Sequence, residues 1–298
     1  MTFSKEIEIS GHVGAIYSCV ATNTYIYSAS ADKHVVRWHI KDGLQDKFAI
    51  KFDHSVYCIE LIGDNLLAVG LSSGDLHFFD LENNKEIKFY TQHKQAIFSV
   101  VYNSNKNQIY VGDAEGNFSI WDSNSLEILI YLPLNCGKIR SIAVTDNGEY
   151  FALSGQDGYV RVFESNFFNE IKSFYAHKGG ATSVMFHPLE ENKLISGGKD
   201  ALLKLWDWQK ESKLNEVVAH TFGIYDLLSI NNGKNFVSAS RDKNVKIWDT
   251  ITFSFVQRLD YKSGGHKHSV NAISKINEKQ FVSCSDDKIL VIWKGDND

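Results

Sequence analysis

The chain has 298 residues, 43% apolar and 22% charged, an ordinary globular make-up with length for one large or two ordinary domains and an ample core. A net charge of −5 and a pI near 6.1 lack the basic footprint of nucleic-acid binders and argue against that partner class. There is no run of 18 apolar residues for a membrane span, and "MTFSKEIEIS" has no apolar leader segment. Cys19, Cys58, Cys136 and Cys284 are scattered without a CxxC pair. That spacing argues against zinc or a disulfide framework and suits a reducing compartment, so a cytoplasmic protein is expected.

In chain order, "SKEIEIS" at the start alternates polar with apolar residues, as a strand does. One pattern then recurs: "SASADKHVVRWH" from Ser28, "VGLSSGDLHFFD" from Val69, "VGDAEGNFSIWD" from Val111 and "LSGQDGYVRVFE" from Leu153. It continues as "SGGKDALLKLWD" from Ser196, "SASRDKNVKIWD" from Ser238 and "SCSDDKILVIWK" from Ser283. The late aromatics, Trp38, Phe79, Trp121, Phe163, Trp206, Trp248 and Trp293, are spaced by 41, 42, 42, 43, 42 and 45 residues. Seven repeats therefore fill the chain. Within each, period-2 stretches such as "NVKIW" and turns such as "DNG" at Asp146 and "NNG" at Asn231 read as about four short antiparallel strands joined by tight turns.

Histidine-led turns (Gly11-His12, Ala176-His177, Ala219-His220, Gly265-His266) precede a Trp-Asp or variant pair by 26 to 29 residues. On these motifs the whole chain resembles the WD-repeat (Trp-Asp repeat) β-propeller family. The resemblance implies an all-β fold: one seven-bladed propeller over residues 1–298, with four-stranded antiparallel blades. The last repeat stops three strands in, so the N-terminal strand is expected to complete the last blade and close the ring, removing an unpaired edge.

Serine, histidine and aspartate at matching spacings raise the question of a hydrolase triad. Four repeats carry the full set with tryptophan: His12, Ser28, Asp32, Trp38; His177, Ser196, Asp200, Trp206; His220, Ser238, Asp242, Trp248; and His266, Ser283, Asp287, Trp293. Catalysis needs one triad at one pocket with an oxyanion hole, not four copies. The resemblance implies structural tetrads instead, in which indole, hydroxyl, imidazole and carboxylate bond in sequence. The second repeat replaces the set with Val69, Ser73 and Phe79, and the fourth has Leu153 and Phe163 with no histidine. A Phe needs no acceptor, so apolar packing replaces the network there. The third keeps Trp121 beside Val111 and Glu115, and Glu115 or water is expected to serve that indole.

Function then rests on surfaces, because the fold alone assigns none. By the family's pattern, exposed contact positions fall at Tyr17, Tyr57, Phe98, Arg140, Thr182, Tyr225 and Asn271, and at Ala31, Ser72, Ala114, Gln156, Lys199, Arg241 and Asp286. Aromatics and arginine with small neighbours suit an interface around repeats one to four. Lys199 and Arg241 suit an acidic segment of the partner. The alternative for the aromatics is packing at the channel mouth. No P-loop, no GxGxxG before a helix and no isolated carboxylate pair is present, and "GGHKH" at Gly264 lacks a third metal ligand. The reading is a non-enzymatic scaffold or adaptor without cofactor or metal, binding one or more proteins and suited to a larger complex. Recognition of nucleic acid or a modified peptide by the same aromatic face is the alternative. A methyl-lysine cage would need acidic neighbours, and Asp226 beside Tyr225 is the one adjacent case.

Overall fold

The computed structural model describes residues 1–296; residues 297–298 of the expected domain lie outside the described residues. The described elements are 28 strands and one 3-10 turn, Tyr261–Ser263. They form a seven-bladed β-propeller of seven four-stranded antiparallel sheets, spanning 16–51, 56–90, 97–133, 139–175, 181–218, 224–259, and 270–295 joined by Phe3–Ser10. In this last sheet, Phe3–Ser10 lies antiparallel to Ile289–Gly295, from Phe3 opposite Gly295 to Ser10 opposite Ile289. The strand from the start of the chain thus supplies the fourth strand of the seventh sheet.

Burial follows strand position. The second strand of each sheet is covered on both faces; Gln108–Asp113 and Asn235–Ser240 are buried throughout. The outer strands are wet, as in Ser212–Val218. This is why the second strands read as continuous apolar or small-residue runs, while the outer ones carry Lys and Glu.

The chain packs as two compact units, one of Met1–Val56 with the segment from His220 onward, the other of Tyr57–Ala219. In the first, Ile9, Ile16, Ile26 and Trp38 interlock with Val282, Leu290 and Ile292, while Val237 and Ile247 pack with Phe281, Val291 and Trp293. In the second, Phe78, Ile97, Ile109 and Trp121 form one core. Tyr110, Phe118, Phe151 and Phe163 form another, in which Phe151 and Phe163 lie 5.0 Å apart at 3°. Phe163 thus replaces the fourth repeat's indole with ring stacking that needs no acceptor.

Six sheets share one irregularity. The register slips by one residue after the first residue of the first strand, between Ile16 and Ser18, Ile97 and Ser99, Ile139 and Ser141, Ala181 and Ser183, Ile224 and Asp226, and Val270 and Ala272. The residues skipped are Tyr17, Phe98, Arg140, Thr182, Tyr225 and Asn271. A bulge of this kind re-aims a side chain out of the ladder.

Candidate interaction surfaces

In the repeat holding Ser238, the Trp248 indole donates to Ser238 Oγ at 2.9 Å, and His220 bridges Ser238 at 2.8 Å and Asp242 at 2.9 Å. The other three sets match. Trp38, Trp206 and Trp293 donate to their serines at 2.7, 2.9 and 2.8 Å. His12, His177 and His266 reach the serine at 2.7, 2.7 and 2.8 Å and the aspartate at 2.7, 2.9 and 3.1 Å. A carboxylate only accepts, so Nδ1–H points at the aspartate and Nε2 accepts the serine hydroxyl.

The order of atoms is that of a hydrolase triad, but Ser28, Ser196, Ser238 and Ser283 are each 0% exposed and capped by an indole. No substrate carbonyl reaches them. Each aspartate also accepts a backbone N–H from the histidine's own turn, at Val13, Lys178, Thr221 and Lys267. Burial alone would push these carboxyls up, yet the hydrogen bond and charge of the histidine and the backbone N–H groups hold Asp32, Asp200, Asp242 and Asp287 below the usual carboxylate range. Burial lowers His12 and His220 against the pull of their aspartates, favouring the neutral imidazole.

The third repeat holds a fifth network. Trp121 donates to Ser119 at 2.8 Å, and His93 bridges Ser119 at 2.8 Å and Asp113 at 2.9 Å. The expectation that Glu115 or water serves this indole is corrected: Glu115 instead gives its backbone N–H to Asp113. The serine stands 26 residues after the histidine, against 16 to 19 in the other sets. The signal in the sequence was His93, at the usual distance before Trp121.

The expected contact positions divide. In the Tyr57–Ala219 unit, Tyr57 stacks on Phe98 at 5.2 Å and 24°, and the Arg140 guanidinium lies 4.9 Å from the Phe98 centroid. Lys138, which sequence reasoning missed, places its Nζ 5.1 Å from the same ring. All four are half-buried, and Lys199 in the same unit is exposed. Thr182 is instead 1% exposed and bonds Gly197 O, which removes it from the surface. In the other unit Tyr17 and Tyr225 are half-buried, and exposed Arg241 lies over Phe222 at 5.7 Å. Asn271 spends its amide on Ile16 O and Asp286, both at 2.8 Å, so these two positions face each other.

Two carboxyls stand on first strands: Asp226, read in the sequence only as the acidic neighbour of Tyr225, and Glu60, which sequence reasoning missed. Asp226 accepts the N–H groups of Leu227 and Ile273, both at 2.9 Å, and burial pushes it up to about 7. It is therefore poor counter-charge for a methyl-lysine cage beside Tyr225. Burial likewise pushes Glu60 up to about 8, against the opposing hydrogen bond of the Tyr102 backbone.

The family model "WD domain, G-beta repeat" matches residues 3–39, 84–122, 131–164, 168–207, 211–249 and 256–294. The unmatched stretch holds the second repeat, which lacks the tetrad. Relatives include the U3 small nucleolar RNA-associated protein 15 homolog of Xenopus tropicalis, 25% identical over 82% of this chain and 47% of that protein. Others are the guanine nucleotide-binding protein subunit beta of Solanum tuberosum, 25% identical over 65% of this chain and 55% of the relative, and the U5 small nuclear ribonucleoprotein 40 kDa protein of Dictyostelium discoideum, 23% identical over 96% and 83%. The chain spans about half the length of the first of these relatives.

Two expectations are corrected here. The nucleolar and nuclear particles in those names point to the nucleus, not the cytoplasm. Free cysteines could not separate the two, since both compartments keep thiols reduced. Net charge also loses its force against nucleic acid, because two relatives are named for RNA-containing particles.

Proposed function

The chain belongs to the WD-domain, G-beta repeat family, and from that premise we propose that it is a non-enzymatic scaffold subunit of a nuclear multicomponent assembly, binding an acidic segment of a partner protein. The observation that carries this reading is the Tyr57–Phe98–Arg140 stack with Lys138 over the same ring. Ordered aromatic and arginine groups are the residue types that anchor interfaces, and their mutual stacking lowers the entropy lost when a partner docks. Exposed Lys199 adds positive charge in the same unit. The relatives' names, two ribonucleoprotein-type components and a G-protein subunit, support membership of an assembly.

Those names also favour a second reading, RNA binding on this face. Phe98 is crowded by Tyr57, Lys138 and Arg140, which leaves little of its ring for a nucleobase.

The test is co-purification from nuclear extract with wild type and with the Tyr57→Ala/Arg140→Glu variant, matched for melting temperature. A protein partner lost with the variant and kept after RNase treatment supports the scaffold reading. A partner that RNase releases from wild type moves the assignment to RNA. Retention by the variant overturns the site.

A further inference from the structure

A cleft of about 360 Å³ opens in the other unit, bordered by the turn at Asp242 to Asn244, the 3-10 turn Tyr261–Ser263 and the loop at His266 and Lys267. Its size falls within the range of small-ligand sites. Lys243, Lys262 and Lys267 stand in its wall beside Tyr261.

The two carboxylates of the wall are already committed. Asp242 holds His220 and the backbone N–H groups of Thr221 and Asn244. Asp260 caps the 3-10 turn through Lys262 N and Ser263 N, and pairs with Arg258 at 3.0 Å. Among the described residues, none of the three lysines is in an ion pair. The wall thus carries three lysines against two carboxylates, one of them already paired with Arg258, and its net charge is positive.

Their backbones are fixed in advance. Lys262 sits in the capped turn, with Ser263 Oγ accepting from Asp260 N at 2.8 Å. Lys267 gives its backbone N–H to Asp287 at 2.8 Å, and its ammonium lies 5.1 Å from the Tyr261 centroid. Lys243 gives its N–H to Ser240 O within a tight turn.

We propose that this cleft binds the phosphate monoester of a phosphorylated segment of a partner protein. Lysine is a compact point charge suited to a phosphate oxygen, and three of them match a group carrying nearly two negative charges. An extended polyanion fits less well. Asp242 and Asp260 interrupt the positive wall, and Lys267 covers part of Tyr261, the one aromatic lining the cleft apart from the buried tetrad imidazole of His266.

The experiment offers the full chain a degenerate peptide library with central phosphoserine, the same library with serine and with glutamate, and a randomised single-stranded RNA pool. The expected result is about tenfold or greater retention of the phosphoserine library over the serine library. That preference is lost in Lys262→Glu/Lys267→Glu at unchanged melting temperature and kept in Tyr57→Ala, so it stands apart from the surface proposed above. Equal retention of the phosphoserine and serine libraries, or a preference surviving the double variant, overturns the proposal. So does preferential, cleft-dependent capture of the RNA pool, which would make the site a nucleic-acid contact.

Discussion

Val111 and Ser119 stand opposite each other on neighbouring strands of the third sheet, and the hydroxyl that four other repeats carry at the first position is carried here at the second. Ser119 Oγ accepts the Trp121 indole and pairs with His93 from the other side of the ladder. The network keeps its connectivity while its serine has changed strand.

Ser119→Ala should cost about 1–3 kcal/mol, because the indole and imidazole are left buried without their shared partner. Adding Val111→Ser should recover most of that loss by restoring the arrangement of the other repeats. Urea denaturation of both variants checks this; a double variant no more stable than the single one contradicts it.

Trp248→Ala should cost about 3–5 kcal/mol through a cavity and an unpaired His220–Ser238 pair. Trp248 stacks on Phe236 and meets Phe255 edge-on. Trp248→Phe should therefore cost clearly less, keeping the ring packing and losing the indole bond. Equal losses would show that packing contributes little at this position.

Deleting residues 1–9 strips the partner from Ile289–Gly295 and exposes a row of ladder groups in the seventh sheet. The truncated chain should associate, seen by light scattering during size-exclusion chromatography. A stable monomer with unchanged melting temperature would show that this pairing is dispensable.

Glu60 gives a pH test with a definite sign. Its folded pKa of about 8 lies above the ordinary value of 4.5. Its contribution is therefore fully present below about pH 4.5 and lost as pH rises through 8. Glu60→Gln should gain melting temperature relative to wild type from about pH 5 to about pH 9. A difference that stays constant across that range contradicts the assignment. The tetrad aspartates act oppositely, since their lowered values mean stability lost on the acid side of pH 3.8.

Much of the fold was legible because it repeats. Trp38, Trp206, Trp248 and Trp293 mark the period directly, and "SKEIEIS" is a strand with no partner nearby in sequence. The serine of the third network was hidden because adjacency across a ladder is not adjacency along the chain. Val111 and Ser119 are neighbours only once the hairpin forms. The contact position carried over by spacing failed at Thr182, because a bulge sets where a residue points while burial and local hydrogen bonds decide whether it stays available. The lysine cleft escaped for a similar reason: Lys243, Lys262 and Lys267 come from three separate turns, and the commitment of Asp242 and Asp260 appears only in three dimensions.

The pairing of Phe3–Ser10 with Ile289–Gly295 also bears on the order of events at the ribosome. Of the strands described, the one made earliest finds its partner last, after every other sheet has been synthesised. Those sheets can assemble from contiguous segments as they appear, while the seventh waits. During that interval Phe3–Ser10 stands without its ladder partner, an unpaired edge of the kind that favours misassociation in incompletely folded chains.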